Sequence, residues 1–350
     1  MSPRVAVIEF GKNIEESFRK ALQSIEGIDD LTTSQRSVVV KVGVFSHKAG
    51  NHSSVNVVNE IVKSFKSAPR IFFAESNNYR GTGTERLQLW RELFTERIQP
   101  FNLSEDSDTR RIEIAGMEMD LSHILFKPNI LVDTHIFRTY EKGSILKNLF
   151  GCTPDPEKAK FHKDTIFYPL LADIYEAVGG IDLAVLDGTY LWHGNLYEPM
   201  NLLVVGRDAV AVEAVGAHLA GLKPEKMRVI QEFVKRGLGT CNLKEIDIVG
   251  EPLEIIEEKC RSAVKRLKER WNEERKIQKM KGWSYLIDAL IREGFFGHKR
   301  TRENVEEALE SRGIATEGRS SVIHNTLTRR VKKGILKGMK GPEGWVFWTE

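Results

Sequence analysis

The first 76 residues alternate two kinds of stretch, and that alternation restricts the fold more than any other feature of the chain. RVAVIEF (4–10), VVVKVGVF (38–45) and RIFFAES (70–76) are apolar runs of strand length. Between the first two, Asn13 stands where a helix cap would, and Ile14, Phe18, Ala21, Leu22 and Ile25 recur at steps of three and four. Residues 55–65 predict a second helix. Apolar strands separated by amphipathic helices bury themselves by lying parallel, with helices on the faces of the sheet. The expected fold class is α/β, with a mostly parallel, mixed sheet flanked by helices.

Further along, NNYRGTGTE leads into a helix carrying Leu87, Trp90, Leu93 and Phe94. Its glycines, with Arg80 and Arg86, would suit an anion, although an ordinary connection of small residues is the simpler explanation. RRIEIAG and MEMDL (110–121) predict a hairpin at Gly116, and NILVDTHIFRTY (129–140) a strand delivering His135, Arg138 and Tyr140 to its end. In GSILKNLFGCTPDPEKAKFH (143–162), Ile145, Leu146, Leu149 and Phe150 form a short helix around Lys147 and Asn148. Gly151 fits a C-terminal cap, and the two prolines turn the chain into a basic loop with Lys158, Lys160 and His162. A helix near 165–178 precedes the strand IDLAVLDGTY (181–190), then the loop LWHGNLYEP, the strand NLLVVGRD (201–208) and a helix capped by Asp208. A helix begins at Pro224 and ends at GLG (237–239), and EIDIVGE (245–251) is the last strand.

LKNLFG, a lone His162, a strand ending VLDG and the run GRDAVAVEAVGAHLAGL together resemble the family catalogued as domain of unknown function 362, over roughly residues 1–251. The resemblance implies an α/β fold and a set of recurring positions, without an agreed reaction. Lys147, Asn148, Gly151, His162, Asp187, Gly188, Asp208 and Gly239 match directly, and Glu213 stands where an aspartate is usual. Lys41 matches the start of a Lys-Pro-Asn run whose other members are here Val42 and Gly43; His135, Arg138 and Tyr140 occupy places where relatives have two lysines and a histidine. Physically, Lys41, Arg138, Lys147 and His162 suit a carboxylate or phosphate, and Asp187 and Glu213 a hard metal ion. His135 and His162 are candidate general acids or bases. The ordinary alternatives are a helix cap for Asp208, a strand-end turn for Asp187, and surface loops for His52 and His193. Lys41, His135, Lys147, Asn148, His162 and Asp187 are expected to meet in one cleft at the strand ends.

Some relatives carry ferredoxin-type cysteine clusters. Here Cys152, Cys241 and Cys260 are widely spaced, so no iron–sulfur cluster is expected and the cofactor is open. A reducing, cytoplasmic setting is the expectation, with no leader expected and no apolar run of membrane-spanning length in the sequence. Residues 252–281 form a charged amphipathic connector helix, with Leu253, Ile256, Cys260, Val264, Leu267 and Trp271 on one side, which would also allow a dimer.

Residues 282–350 predict three helices (283–296, 301–313 and 319–334) and a hairpin, ILKGMKG-PEG-WVFWTE. With the entry VKKGIL, that order resembles the winged helix-turn-helix family. Arg319, Arg329, Arg330, Lys332, Lys333, Lys337 and Lys340 fall between 319 and 340 without an acidic residue. Ser320, Ser321, His324, Asn325 and Thr328 precede them as hydrogen-bonding groups for base edges, while Val322, Ile323, Leu327 and Val331 are expected in the core. Two readings stand. One is a regulator that binds duplex DNA and senses an anionic small molecule. The other is an enzyme acting on a phosphate- or carboxylate-bearing substrate, with the C-terminal segment as an accessory or protein-interaction module.

Overall fold

A computed structural model describes residues 2–11, 13–44, 51–314, 316–341 and 344–349. They form two compact units. One comprises Met1–His193 and Tyr197–Lys265, the other Gly194–Leu196 and Arg266–Glu350. Among the described residues, no helix is long and apolar enough to cross a membrane.

The first unit opens with β1 (Arg4–Glu9), α1 (Ile14–Ser24), β2 (Val38–Val42), α2 (Val55–Ser64) and β3 (Ile71–Glu75). Asn13 Oδ1 accepts the Glu16 N–H and so caps α1. After β3 come α3 (Gly83–Leu87), β4 (Ile98–Asn102), the hairpin β5 (Thr109–Ile114) and β6 (Met117–Ser122), then β7 (Ile130–Arg138). Next are α4 (Ile145–Asn148), α5 (Asp164–Val178), β8 (Leu183–His193), β9 (Leu196–Gly206), α6 (Ala209–Leu219), α7 (Arg228–Lys235) and β10 (Asp247–Gly250). The eight-stranded sheet has the order β10-β1-β9-β8-β7-β2-β3-β4. β8, β7, β2, β3 and β4 run parallel, and β9 lies antiparallel to β1. The α/β class and mixed, mostly parallel sheet follow the sequence pattern. Val38, Val40 and Val42 join a core with Phe18 of α1 and Ile61 of α2, so the intervening Lys41 points to the opposite face, as alternation along a strand requires.

Two elements differ from expectation. β4 had no clear signal, because IQPFN contains a proline and is partly exposed, which an edge strand tolerates. LWHGNLYEP is not a loop but the end of β8, a two-residue turn and the start of β9. Its buried Leu191, Trp192 and Leu196 supply strand contacts that the polar composition concealed.

The helix α8 (Leu253–Arg292) follows, with non-helical dihedrals at Gly282; Ile256, Cys260, Val264, Leu267 and Trp271 on its apolar side are buried. Then come β11 (Arg300–Thr301), α9 (Arg302–Glu310), α10 (Ser320–Lys332), β12 (Lys337–Gly341) and β13 (Gly344–Trp348). Thr301 caps α9 in a reciprocal box with Asn304. The strands form a small antiparallel sheet, β11-β13-β12, whose first strand was too short to detect from sequence. Ile287, Leu290, Phe296, Val305, Leu309, Ile323, Leu327 and Phe347 are buried in this part of the chain.

Gly188 tests the packing of the sheet. A Cβ there would lie 2.5 Å from the Leu202 carbonyl oxygen, a backbone atom that cannot swing away. Gly188→Ala is expected to destabilise the protein by about 1–3 kcal/mol, as overpacking does. Unchanged urea denaturation would show that β8 and β9 do not approach this closely.

Candidate functional site

The side chain of Lys41 is wholly buried. Its ammonium donates to Glu75 Oε2 (2.9 Å), Asn148 Oδ1 (3.1 Å) and the Val42 carbonyl (3.1 Å), which occupies all three of its protons. Glu75, at the end of β3, accepts the Ser76 N–H at 2.8 Å and lies 3.3 Å from Arg86 Nη2. Arg86 also donates to the carbonyls of Ser76 and Val44. Asn148 closes the network: its Nδ2 lies 3.1 and 3.2 Å from the Asp133 carboxylate oxygens and 3.1 Å from the Lys41 carbonyl. Lys158 enters the same interior and donates to Ser76 Oγ (2.8 Å), the Thr153 carbonyl (2.6 Å) and Thr153 Oγ1 (2.7 Å).

Gly151 is not a helix cap. It lies in the 3-10 turn Leu149–Cys152, where a Cβ would come within 2.5 Å of Lys41 Nζ and 2.7 Å of Glu75 Oε1. Glycine is there because the network fills the space.

Burial raises the Glu75 carboxyl, but Arg86 and Lys41 together outweigh it and hold the group below its ordinary value. Asp133 goes the other way: burial pushes it well above the usual Asp range against the pull of Lys41 and Asn148. Burial draws Lys158 down to about 7, opposed by Glu75, and raises the Cys152 thiol to about 12. Cys152 is therefore no nucleophile near neutrality.

A second group lies beyond β7. Arg138 Nη2 donates to the Gly143 carbonyl at 2.7 Å, and its guanidinium sits 5.0 Å from the Tyr140 ring centroid. Lys147 Nζ is also 5.0 Å from that centroid. Lys142 Nζ lies 5.5 Å from the Phe167 ring, and His162 packs on Phe150 and Phe167. Burial and then Lys147, Lys142 and Lys158 depress His162 to about 3. His135 is buried on β7, and burial followed by Arg138 keeps it well below the ordinary histidine value.

The six residues expected in one cleft thus occupy different settings. Lys41 and Asn148 bond each other in the interior and leave Lys41 no donor for a ligand. Lys147 and His162 belong to the cationic group, with Arg138. Asp187 accepts the Ser54 N–H at 2.5 Å and the Thr189 hydroxyl at 2.6 Å, joining β8 to the start of α2. Glu213 accepts N–H groups from Ser144 (2.8 and 2.9 Å) and Leu146 (2.9 Å), so it fixes the start of α4. The two carboxylates expected to hold a metal have separate backbone duties. Among the described residues, no group of three His, Cys, Asp or Glu is placed to hold a metal ion. The anion loop is corrected too, since Arg86 is buried against Glu75. Glu75 and Asp133 escaped the sequence reading; a lone acid inside the apolar run ILVDTHIF was the available signal for Asp133.

In the C-terminal unit, Ser321, Val322, Asn325, Arg329, Lys332 and Lys333 are exposed along α10, as are Lys337 and Lys340 of β12, while Ser320 is half-buried. Arg330 is instead buried and forks onto Asp288 at 2.9 and 2.8 Å, with a further bond to the Ser284 carbonyl. It is a packing residue, not a phosphate contact. His324 turns toward Trp345 and Phe347, each 6.1 Å away. Thr326 takes the buried place expected for Val322. The hairpin turn at Pro342 and Glu343 lies outside the described residues.

A family model described as domain of unknown function (DUF362) matches residues 38–218, which contain the whole buried network and the cationic group. No curated protein matches the chain.

Removing one member of a buried charge network leaves its partners uncompensated. Glu75→Gln is expected to cost about 3–5 kcal/mol in urea denaturation. Because the folded carboxyl titrates below its ordinary value, its contribution is fully present above that value and is lost as pH falls through the lower, folded one. The variant should show a flatter acid limb. A wild-type-like stability and acid limb would show that Glu75 is not held as an anion.

Proposed function

Because the chain belongs to the family described as domain of unknown function (DUF362), whose description names no reaction, we propose its function from its own geometry: it binds duplex DNA through its C-terminal unit, and its α/β unit responds to a small anion. The observation that carries the first part is the exposed face of α10. It presents Ser321 and Asn325 and then Arg329, Lys332 and Lys333, with Lys337 and Lys340 on β12. Residues 319–340 contain no acidic side chain.

In this reading the C-terminal unit is a winged helix. Its support is the order of elements, the end of α8, β11, α9, α10, then the hairpin β12 and β13. α10 takes the place of the helix that enters a major groove, and the hairpin that of the wing. Polar side chains face base edges on the early turns, and cations near the C-terminal end neutralise phosphates.

The anion reading of the α/β unit rests on Arg138, Lys142 and Lys147 gathered beside His162. An enzyme acting on a phosphate or carboxylate would use the same cations, with His162 moving the proton. A histidine held down to about 3 stays neutral across the physiological range and is a poor acid there, so binding is the better-supported role.

Anisotropy titration of the full-length protein with a labelled duplex tests the DNA reading. Wild type is expected to bind more weakly as salt rises. The triple variant Arg329→Ala, Lys332→Ala, Lys333→Ala should lose at least about tenfold in affinity, with the log–log salt slope reduced by roughly 0.9 for each phosphate contact removed. Absence of salt-dependent binding by wild type, or an unchanged slope in the variant, would return the unit to a protein-interaction role. Arg330→Ala should instead unfold the unit.

A further inference from the structure

The end of β7 and the β8–β9 pair carry an aromatic cluster that none of the roles above uses. Tyr190, Trp192 and Tyr197 touch one another, with ring centroids 6.4 Å (Tyr190–Trp192), 5.0 Å (Tyr190–Tyr197) and 4.9 Å (Trp192–Tyr197) apart. Trp192 is buried, whereas Tyr190 and Tyr197 are 39% and 49% exposed. Large aromatics left this open on a water-facing surface are candidates for recognition.

The local backbone displays them. In the parallel β7–β8 ladder Ile136 pairs with Asp187, but the next residue, Phe137, pairs with Leu191. Gly188, Thr189 and Tyr190 therefore have no partner on β7. Such an irregularity bends a strand and re-aims its side chains, and it recurs beside functional sites. Here it sets Tyr190 against Trp192 and Tyr197 at the solvent surface.

Arg138 of the cationic group is next to this platform. Arg138 is the ladder partner of Trp192, and partners on adjacent parallel strands project from the same face. Thr139 N–H donates to the Trp192 carbonyl at 2.9 Å, and Thr139 Oγ1 and His193 Nδ1 are 2.5 Å apart. Arg138 and Lys147 both lie over Tyr140, itself 36% exposed. Among the described residues, the buried Arg138 Nε has no hydrogen-bond partner, so part of its guanidinium's bonding capacity is left unused by them. Arg138 and the stacking surface are thereby on adjacent strands, and Lys147 shares the Tyr140 ring with Arg138.

We infer that this rim binds a nucleotide, its base held by the edge-to-face pair Tyr190 and Tyr197, stacked on one ring with the other at its edge, and its phosphates drawn by Arg138, Lys142 and Lys147. The inference rests on the anion reading above and names the class of anion. A plain phosphate or carboxylate would use the cations alone and would give no reason for the displayed tyrosines. A base has a π-face that stacks on any exposed aromatic, and its phosphates carry the charge that the lysines and arginine complement.

Calorimetric titration of the full-length protein with ADP and, separately, with inorganic pyrophosphate tests it. ADP is expected to bind at least about tenfold more tightly, the size of one base–aromatic stack. In the double variant Tyr190→Leu, Tyr197→Leu that advantage should fall to near unity while pyrophosphate affinity stays within about twofold. Lys142→Ala should weaken both ligands. Both tyrosines are exposed, so the double variant is expected to fold, and matching thermal denaturation checks this. Pyrophosphate binding with no ADP advantage, or an advantage that survives in the double variant, would overturn the nucleotide assignment and leave the anion reading standing. Binding of neither ligand would overturn both.

Discussion

An ammonium group with no exposure to water, set in the middle of a parallel sheet, is the constraint on which the α/β unit depends. Lys41 cannot remain there alone, because an isolated buried charge carries a large desolvation penalty. It is held by Glu75 from one neighbouring strand and Asn148 from the helix above, while Asn148 also binds Asp133 from the other neighbouring strand. Each contact dictates something else. Glu75 draws in Arg86, the missing side chain of Gly151 makes room for the ammonium, and Lys158 pins the following loop through Ser76 and Thr153. The turn after α4 is therefore placed by charge satisfaction as much as by apolar packing.

This arrangement separates interior from rim. Lys41 spends every proton inside, so it cannot serve a ligand, and the neighbouring cations that retain some exposure, Lys142 and Lys147, lie farther along the chain. Glu213 and Arg138 frame the start of α4 by way of Ser144, Leu146 and Gly143. That frame fixes the backbone from which Lys142 and Lys147 project. A buried network of this kind is weak evidence for added stability but stronger evidence for a single arrangement, since any partner removed leaves the others stranded. In the C-terminal unit Arg330 plays a similar part, tied to Asp288 and Ser284, and so leaves Arg329, Lys332 and Lys333 facing water.

Much of the fold was legible because it is written in local periodicity. The strands around Val5, Val39, Phe73 and Leu131 and the cap at Asn13 all announce themselves within a few residues. The network was not legible in the same way. Lys41 and Asn148 were visible as polar residues in apolar surroundings, but their partners in the network lie 15 to 107 residues away, and no local pattern specifies which acid meets which base. For the same reason Arg86 read as an anion-binding residue and Arg330 as a phosphate contact: sequence shows that a side chain is charged but not whether it faces inward. Gly151 read as a helix cap because a glycine after an apolar turn has that local explanation, whereas the real one comes from two side chains brought up through the sheet.

Hydrogen exchange measured by mass spectrometry tests most directly whether the Lys41 network organises this unit. In wild type, peptides covering residues 38–42, 71–76, 130–136 and 145–152 should exchange together, at the slowest rate in the α/β unit, because they open only when the network does. In Lys41→Met the 145–152 peptide should lose that protection and separate from the strands. A 145–152 peptide that already exchanges at loop rates in wild type, or keeps its protection in Lys41→Met, would contradict the account.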